Sequence, residues 1–291
     1  MAHITAIDGF VWTTVGCGLA LRSGALGDVA DHFFTTRQLR LRGESEAEDW
    51  RLVAGAIGVP PSRLLRLTQV HGRDVFVHGN GGAEAGGQAI PAGDAAAGTP
   101  DEARWPAADI SMTADPTVAL AIQVADCVPL LLADPLTGAV AAVHAGWRGT
   151  AAGAATAAVE ALGREFGAQP ERLVVAQGPS IGPCCYTVGD ELIDAYRDGG
   201  FAQSANRWFI RDEAGGLKLD VWAANRDQLI ASGVPAASIH AANLCTAHRP
   251  DLFASYRHDG PGTGRIAAVI RSRGGSQPVR RIGGVALGPG R

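Results

Sequence analysis

The chain has 291 residues, of which 46% are hydrophobic and 19% are charged, and its formal net charge at pH 7 is −4. This composition is typical of a globular protein that can build a substantial core without disulfides or metals as staples. The slightly acidic balance offers no basic surface to a nucleic-acid backbone, so we expect no nucleic-acid partner.

The N-terminal sequence MAHITAIDGFVW lacks the cationic start and the continuous apolar run of a secretory signal, and no later stretch approaches the length of a membrane span. The five cysteines, an odd number, fit reduced thiols better than a disulfide framework. We therefore expect a cytoplasmic protein without a membrane partner, in which a thiol is available as a metal ligand or a nucleophile.

The first elements predicted along the chain are a helix and a pair of strands. Ser45 and Glu48 have the spacing of a capping box before an apolar segment, which predicts a helix there. Residues 63–70 and 74–78 are apolar and rich in β-branched side chains. We predict that they pair as strands, with His71 at a strand end.

Three apolar runs in the middle of the chain predict buried, neighbouring strands at the centre of a sheet. They read VALAIQVA, VPLLLADP and AVAAVHA, and the last two are joined by a turn at 134–138. The third run leads through HAGWRGT into an Ala-rich segment. This pattern predicts a helix with Thr150 as its N-cap and Gly167 just beyond its end.

The remaining segments alternate between strand and helix patterns. RLVVAQG predicts a strand, Asp220 predicts the cap of the helix VWAANRDQLIAS, and residues 238–243 and 265–270 predict two more strands. Because strands and helices are interleaved throughout, we predict an α/β fold with layered mixed sheets.

The domain organisation follows from composition. Residues 79–108 consist largely of Gly, Ala and Pro, which cannot bury enough apolar area to offset their ordering entropy. We predict a single catalytic domain over residues 1–271, with 79–108 as a surface insertion and 272–291 as a flexible C-terminal tail.

Two histidines and one cysteine lie where an apolar strand gives way to a turn. They are His71 in VHG, Cys127 in ADCVP and His144 in VHAG. Two imidazoles and a thiolate are ligands that zinc prefers, and three protein ligands leave a fourth position open to a water, as in catalytic sites. Taken singly, the same residues also fit a hydrogen-bonded core histidine and a small buried hydrophobe.

Arg148 lies in HAGWRGT, between a strand end and a predicted helix N-terminus. Free backbone amides and the helix dipole favour anions at such a turn. Arg148 is therefore a candidate for binding a phosphate or a carboxylate, and a surface arginine flanked by turn glycines is the alternative.

Several other reactive side chains have weaker signals. Cys184 and Cys185 are adjacent, and we interpret them as packing residues because neighbouring cysteines rarely share disulfide or zinc geometry. Cys245 precedes His248 by three positions and could be half of a metal pair, although this spacing more often marks a strand end and a turn. We interpret Asp126 as a structural anchor, since adjacent strand residues point to opposite faces.

Six segments between residues 63 and 270 carry a family resemblance: TQVHGRDV, LAIQVADCVPLLLADP, AAVHAGWRGT, GPSIGPCCYTVGDE, LDVWAANRDQLIASGV and DLFASYRHDGPGTGRIAAVI. In this order they resemble the laccase-domain family, also called polyphenol oxidase-like, peptidoglycan editing factor or purine nucleoside phosphorylase. The resemblance implies a four-layer αββα sandwich, and it implies that His71, Cys127 and His144 are zinc ligands. It also implies phosphorolysis of adenosine, inosine, guanosine and methylthioadenosine, and deamination of adenosine to inosine.

The N-terminal part departs from the family pattern. The family usually carries a threonine and an arginine followed by Gly-Gly-Val-Ser and a long polar stretch, whereas here FFTTRQLRLRGESEAED leads almost directly into the first helix. Arg37 matches the family's arginine. For phosphate binding, Arg37 and Arg257 are further candidates beside Arg148.

Two alternative functions from other classes stay open. A copper-dependent polyphenol oxidase would need many histidines, commonly in His-x-His pairs, and none of the eight is so arranged. Cu²⁺ could still occupy the zinc site in place of Zn²⁺. A peptidoglycan editing factor would instead act as a cysteine amidase with Cys127 as nucleophile. We predict a zinc-dependent purine nucleoside phosphorylase with adenosine deaminase activity, acting on nucleosides and inorganic phosphate as a monomer or weak homodimer.

Overall fold

The computed structural model describes residues 7–79 and 105–276. The strands in these ranges are β1 (Phe10–Val15), β2 (Gly18–Ser23), β3 (Ala30–Thr35), β4 (Leu64–Leu65), β5 (Val75–His78), β6 (Ile110–Thr113), β7 (Ala119–Val124), β8 (Val128–Ala133), β9 (Val140–Ala145), β10 (Val174–Gln177), β11 (Phe209–Arg211), β12 (Leu217–Leu219), β13 (Ile239–Ala241) and β14 (Ile266–Ser272). The helices are α1 (Gly24–Gly27), α2 (Glu46–Ile57), α3 (Trp147–Ala151), α4 (Ala154–Phe166), α5 (Glu191–Tyr196), α6 (Ala202–Trp208), α7 (Val221–Ala231) and α8 (Tyr256–Asp259). None of the described helices is long and apolar enough to cross a membrane.

The described strands form two six-stranded mixed sheets and one small hairpin. The first sheet has the order β1-β2-β3-β14-β7-β4, the second has the order β13-β10-β8-β9-β6-β5, and β11 pairs with β12. Most neighbours are antiparallel, but β4 runs parallel to β7, β5 to β6, and β10 to β13. The antiparallel pair β8 and β9 lies at the centre of the second sheet, with Pro129 opposite His144.

The two sheets pack against each other and carry helices on their outer faces. Leu120 and Leu131 contribute to an inner core shared by both sheets. Their neighbours along each strand point the other way: Ala121 joins the core beneath α2, and Leu132 joins the core beneath α4 and α7. This alternation is the period of two expected for strands covered on both faces. The fold is therefore the single-domain αββα sandwich that the family resemblance implies.

The structure corrects the predicted strand pairing around His71. Residues 63–70 and 74–78 do not pair with each other, because β4 joins the first sheet beside β7 and β5 joins the second sheet beside β6. The run at β7 likewise lies in a different sheet from β8 and β9. Apolar patterning reports that a strand is buried, but it does not report its partner. The consequence is that His71 lies where the chain crosses from one sheet to the other.

One predicted helix start differs from the structure, and another is confirmed in position without its predicted side-chain cap. Helix α2 begins directly after Ser45, as predicted. The Ser45 hydroxyl donates to the Asp49 carboxylate at 3.0 Å, and its side chain caps no backbone amide. Thr150 lies inside α3, and Gly153, with a φ of 83°, separates α3 from α4. Only a residue that tolerates the left-handed region can make this break. The Asp220 cap is confirmed, since its side chain accepts the N–H of the third residue of α7.

The sequence predicts that residues 79–108 and 272–291 lack regular structure, but one end of each segment is bound to the sandwich. Within 79–108, the carbonyl of Pro106 accepts the Thr68 N–H at 2.9 Å, so the last residues of this segment are bound to the sandwich. Within 272–291, Ser272 is buried at the end of β14. Most of both predicted segments lies outside the described residues.

The inner core should dominate stability, and Phe34 tests this. Its side chain is fully buried between the sheets, in contact with Gly178. We expect Phe34→Ala to lower the free energy of unfolding by about 3–5 kcal/mol through lost burial and a cavity. The matched control is Val11→Ala in β1, whose side chain is 62% exposed, with an expected change within about 0.5 kcal/mol. Denaturant titration measures both, and equal losses would contradict the two-sheet core.

Candidate metal centre

The side chains of His71, Cys127 and His144 converge beside the β8–β9 pair. One ligand atom from each residue lies within 4.8 Å of the other two. The two imidazole rings have centroids 4.9 Å apart and are nearly perpendicular, at 77°. The structure thus brings together three residues that lie far apart in the sequence, from the crossing loop, the start of β8 and the end of β9.

A buried carboxylate, Asp109, holds two of these residues. Its Oδ1 accepts the ring Nδ1–H of His144 at 2.7 Å and the backbone N–H of His71 at 3.0 Å, while Oδ2 accepts the N–H of Gly72 at 2.6 Å. The two amide contacts stabilise the left-handed backbone of His71, whose φ is 63°. Because the Nδ1 of His144 is engaged, its Nε2 is the atom left for a metal.

The two glycines of HAGWRGT have steric roles at this centre. A Cβ at Gly146 would lie 2.8 Å from the Sγ of Cys127 and 3.5 Å from the ring of His71. A Cβ at Gly149 would lie 2.8 Å from the carbonyl oxygen of Gly72. The two contacts at 2.8 Å are closer than a Cβ atom allows, so only glycine at these positions lets the turn after β9 approach the cluster.

The cluster is strongly polarised. Burial alone would raise the pKa of Cys127, but the charges and hydrogen bonds of His144 and His71 outweigh it and lower the pKa to about 6. Burial alone would lower the pKa of His144, but Cys127 and Asp109 raise it to about 9. The pKa of Asp109 is lowered because hydrogen bonds from His144 and two amides outweigh burial. Such a thiolate–imidazolium pair suits a cation that displaces the histidine proton.

A pocket opens beside the Cys127 thiol, and its walls are mainly apolar and aromatic. Its lining residues are Asp126, Cys127, Ala145, Gly146, Trp147, Ile181, Tyr186 and Val221. Burial, followed by the charge of Cys127, raises the pKa of Tyr186 to about 12, so its hydroxyl is neutral near pH 7. Tyr186 is not among the site residues predicted from the sequence, although it lies within GPCCYTVGDE, one of the family segments.

Two of the three predicted arginines each lie against an aromatic ring that lines this pocket. The guanidinium of Arg148 is exposed and lies 4.3 Å from the ring centre of Trp147. Among the described residues, no carboxylate lies within ion-pair distance of it. Arg257 lies 5.2 Å from the ring centre of Tyr186, and its Nη1 donates to the carbonyl of Thr187 at 2.8 Å.

Arg37 contacts residues other than those of the pocket, and the charge of the Cys127 thiolate acts on a further arginine, Arg265. The Arg37 guanidinium donates to the carbonyl of Pro250 and lies 3.7 Å from the carboxylate of Asp259. Arg265 lies close enough to Cys127 for the thiolate charge to act on it, although burial is the larger influence and lowers the pKa of Arg265. In the sequence, the available signal for Arg265 was its position at the start of a predicted strand, directly after a glycine.

Asp126 acts as the anchor that we inferred, but from a turn and not from a strand. Its backbone is left-handed, with a φ of 92°. Its carboxylate accepts the Thr246 hydroxyl at 2.6 Å and the Arg257 N–H at 2.7 Å, and its carbonyl accepts the Ile181 N–H at 2.9 Å. The turn that carries Cys127 is therefore tied to three other segments.

The fold and the cluster together define a single-domain α/β protein with a group of two histidines and one cysteine that could hold a metal ion. A family model described as "Multi-copper polyphenol oxidoreductase laccase" matches residues 42–273, and the chain belongs to this family. It is 37% identical to purine nucleoside phosphorylase YlmD of Geobacillus stearothermophilus over 77% of each chain. It is 39% identical to adenosine deaminase RL5 from an unknown prokaryotic organism, over 58% of this chain and 64% of that protein. The crystal structure of YlmD from Geobacillus stearothermophilus matches with a TM-score of 0.77 and 31% identity, covering 91% of this chain and 99% of that one.

The role of Asp109 can be tested with Zn²⁺ as the probe. We expect Asp109→Asn to raise the Zn²⁺ concentration that protects Cys127 from alkylation by about 10- to 100-fold, because the amide cannot replace all of the carboxylate's acceptor contacts. Mass spectrometry of the Cys127 peptide measures this protection. The control is Asp251→Asn, which removes only an exposed pair with Arg249. Unchanged protection in Asp109→Asn would show that the carboxylate does not orient the ligands.

Proposed function

We propose that this protein is a zinc-dependent purine nucleoside phosphorylase that also deaminates adenosine and cleaves methylthioadenosine, and that it works in the cytoplasm. The observation that carries the proposal is the convergence of His71, Cys127 and His144 beside an aromatic pocket. Two imidazoles and a thiolate suit Zn²⁺, with Cu²⁺ as an alternative occupant. The ion would supply Lewis acidity and lower the pKa of a water molecule that it binds.

The ligand residues fit such an ion on structural grounds. Asp109 leaves the Nε2 of His144 free for it, and Gly146 leaves the space around the Cys127 thiol that any larger residue would fill. Three ligands leave one coordination position open, which distinguishes a catalytic set from a closed structural one.

The pocket supports a purine as the group that is bound. Trp147 and Tyr186 give it aromatic walls, which favour a flat heteroaromatic ring through stacking and burial. The neutral Tyr186 hydroxyl can donate a hydrogen bond to a purine nitrogen or a ribose oxygen.

Phosphate has two candidate partners at the rim. The Arg148 guanidinium is exposed and stacks on Trp147. Arg257 keeps donors beyond the one it gives to the Thr187 carbonyl. Guanidinium groups bind phosphate oxygens through paired, charge-assisted hydrogen bonds, so we assign these two side chains to hold phosphate beside the nucleoside. We assign Arg37 a structural role, since its guanidinium contacts Pro250 and Asp259.

The chain's residues support nucleoside chemistry over multi-copper oxidation. A blue-copper site would add an axial methionine to its cysteine and histidines. Met112 is fully buried in the outer core of the second sheet, among the side chains beneath α4 and α7. The cysteine amidase alternative has more support than the copper oxidase, because the Cys127 thiol has a lowered pKa and two histidines beside it.

A nucleoside assay separates these functions. With adenosine in phosphate-free buffer we expect only inosine and ammonia, because water is then the only nucleophile; added phosphate should also release free purine and ribose 1-phosphate. Cys127→Ala should abolish both reactions. The control Cys17→Ala should retain them, since Cys17 is a buried thiol whose pKa burial raises to about 11. Inert adenosine, together with Cys127-dependent release of an amino acid from a muramyl-linked substrate, would establish the amidase instead.

The assignment of Arg148 has its own test. We expect Arg148→Ala to raise the KM for phosphate by about 10- to 100-fold, the loss of one charge-assisted anion contact, while deamination of adenosine continues at its normal rate. Steady-state kinetics at varied phosphate concentration measure the effect. Arg164→Ala is the control, because Arg164 is exposed near the end of α4 and pairs with Glu165. A normal KM in Arg148→Ala would remove this residue from the phosphate site.

A further inference from the structure

A second group of soft metal ligands lies outside the proposed catalytic centre. The Sγ atoms of Cys184 and Cys185 and one ring nitrogen of His248 all lie within 4.8 Å of one another, and the two sulfurs are 3.6 Å apart. Two thiolates at about 2.3 Å from a tetrahedral zinc ion stand about 3.8 Å apart, whereas a disulfide needs about 2.05 Å. The interpretation of the pair as packing residues is wrong for Cys184, whose side chain is exposed.

A third thiol lies near the group. Cys245 is buried and lines the same cleft as Cys184 and His248, but its Sγ does not lie within 4.8 Å of all three ligand atoms. Its Sγ also accepts the backbone N–H of Gly182 at 3.2 Å. The group itself offers two sulfurs and one imidazole, which are ligand types that zinc prefers.

Two loops carry the ligands of this group: one holds Cys184 and Cys185, and the other holds His248. Backbone hydrogen bonds join the two loops. Ser180 donates its N–H to the carbonyl of Leu244 at 3.1 Å and accepts the N–H of Thr246 at 3.0 Å, so the loops pair on either side of Cys245. A turn in which the Arg249 N–H donates to the Cys245 carbonyl at 3.0 Å places His248. The ligands are thus preorganised, which lowers the entropy cost of binding an ion.

An open cleft gives an ion a route to this group. Its lining residues are Pro183, Cys184, Trp222, Asn243, Leu244, Cys245, His248 and Arg249. We propose that Cys184, Cys185 and His248 form a second site that binds a thiophilic metal ion, Zn²⁺ or Cu⁺. The same loops carry Ile181 and Tyr186, which line the pocket beside Cys127. The proposed second site therefore lies on loops that also form one wall of the pocket beside Cys127.

The test counts ions and reads each thiol separately. The full-length protein is equilibrated under reducing conditions with Zn²⁺ or, in a parallel arm, with Cu⁺, passed over a chelating resin, and analysed for bound metal. We expect two ions per chain in the wild type, one in Cys127→Ala and one in the double variant Cys184→Ser/Cys185→Ser. Cys17→Ser is the matched control, with two ions. Since Cys127→Ala keeps the second ion whatever reaction the catalytic centre performs, this result is independent of the proposed function.

Alkylation followed by mass spectrometry locates the second ion. Metal should protect the peptide that contains Cys184 and Cys185 in the wild type and in Cys127→Ala, and protection should need at least tenfold more metal in His248→Asn. The metal that protects this peptide from alkylation, Zn²⁺ or Cu⁺, is the ion that the second site binds. A single ion per chain that is lost with Cys127→Ala, together with equal alkylation of the Cys184 and Cys185 peptide with and without either metal, would overturn the proposal.

Discussion

The hydrogen bonds of one buried carboxylate organise the candidate catalytic centre. Asp109 is fully buried just before β6, where an unpaired charge would be strongly destabilising. It is compensated by the ring of His144 and by the amides of His71 and Gly72. These contacts join β6, β9 and the loop that crosses between the sheets, so the positions of both histidines depend on a single side chain.

The rest of the centre is arranged around that contact. Pairing of β8 with β9 brings Cys127 to His144, and the absence of a side chain at Gly146 lets the turn after β9 approach the thiol. Asp126 then ties the Cys127 turn to the loops that hold Ile181 and Thr246. The same two loops carry Cys184, Cys185 and His248, the ligands of the proposed second site.

The parts of the structure that local sequence patterns determine could be predicted. The strand end at His144, the cap at Asp220 and the layered fold follow from runs of apolar residues, turn glycines and family segments, whereas His71 lies in a loop and not at the predicted strand end. Sheet membership could not be predicted, because the apolar runs at β4, β7 and β8 show burial without naming a partner. Asp109 has no local motif, and its role exists only because β6 lies beside β9.

The second cluster escaped prediction for a related reason. A vicinal cysteine pair and a Cys–His pair are each weak signals in the sequence, and 63 residues separate Gly182 from the thiol that accepts its N–H. Only the bridge between Ser180 and Cys245 reveals that the two weak signals belong to one group of ligands.

We propose that His71, Cys127 and His144 bind one metal ion in an arrangement set by Asp109. Anomalous diffraction on both sides of the zinc absorption edge, from crystals grown with Zn²⁺, tests it most directly. We expect an anomalous peak at about 2.3 Å from the Sγ of Cys127 and about 2.0–2.1 Å from a ring nitrogen of each histidine, with the Nδ1 of His144 still bonded to Asp109. No zinc peak among these three side chains, or a peak that Cys127 does not ligate, would contradict it.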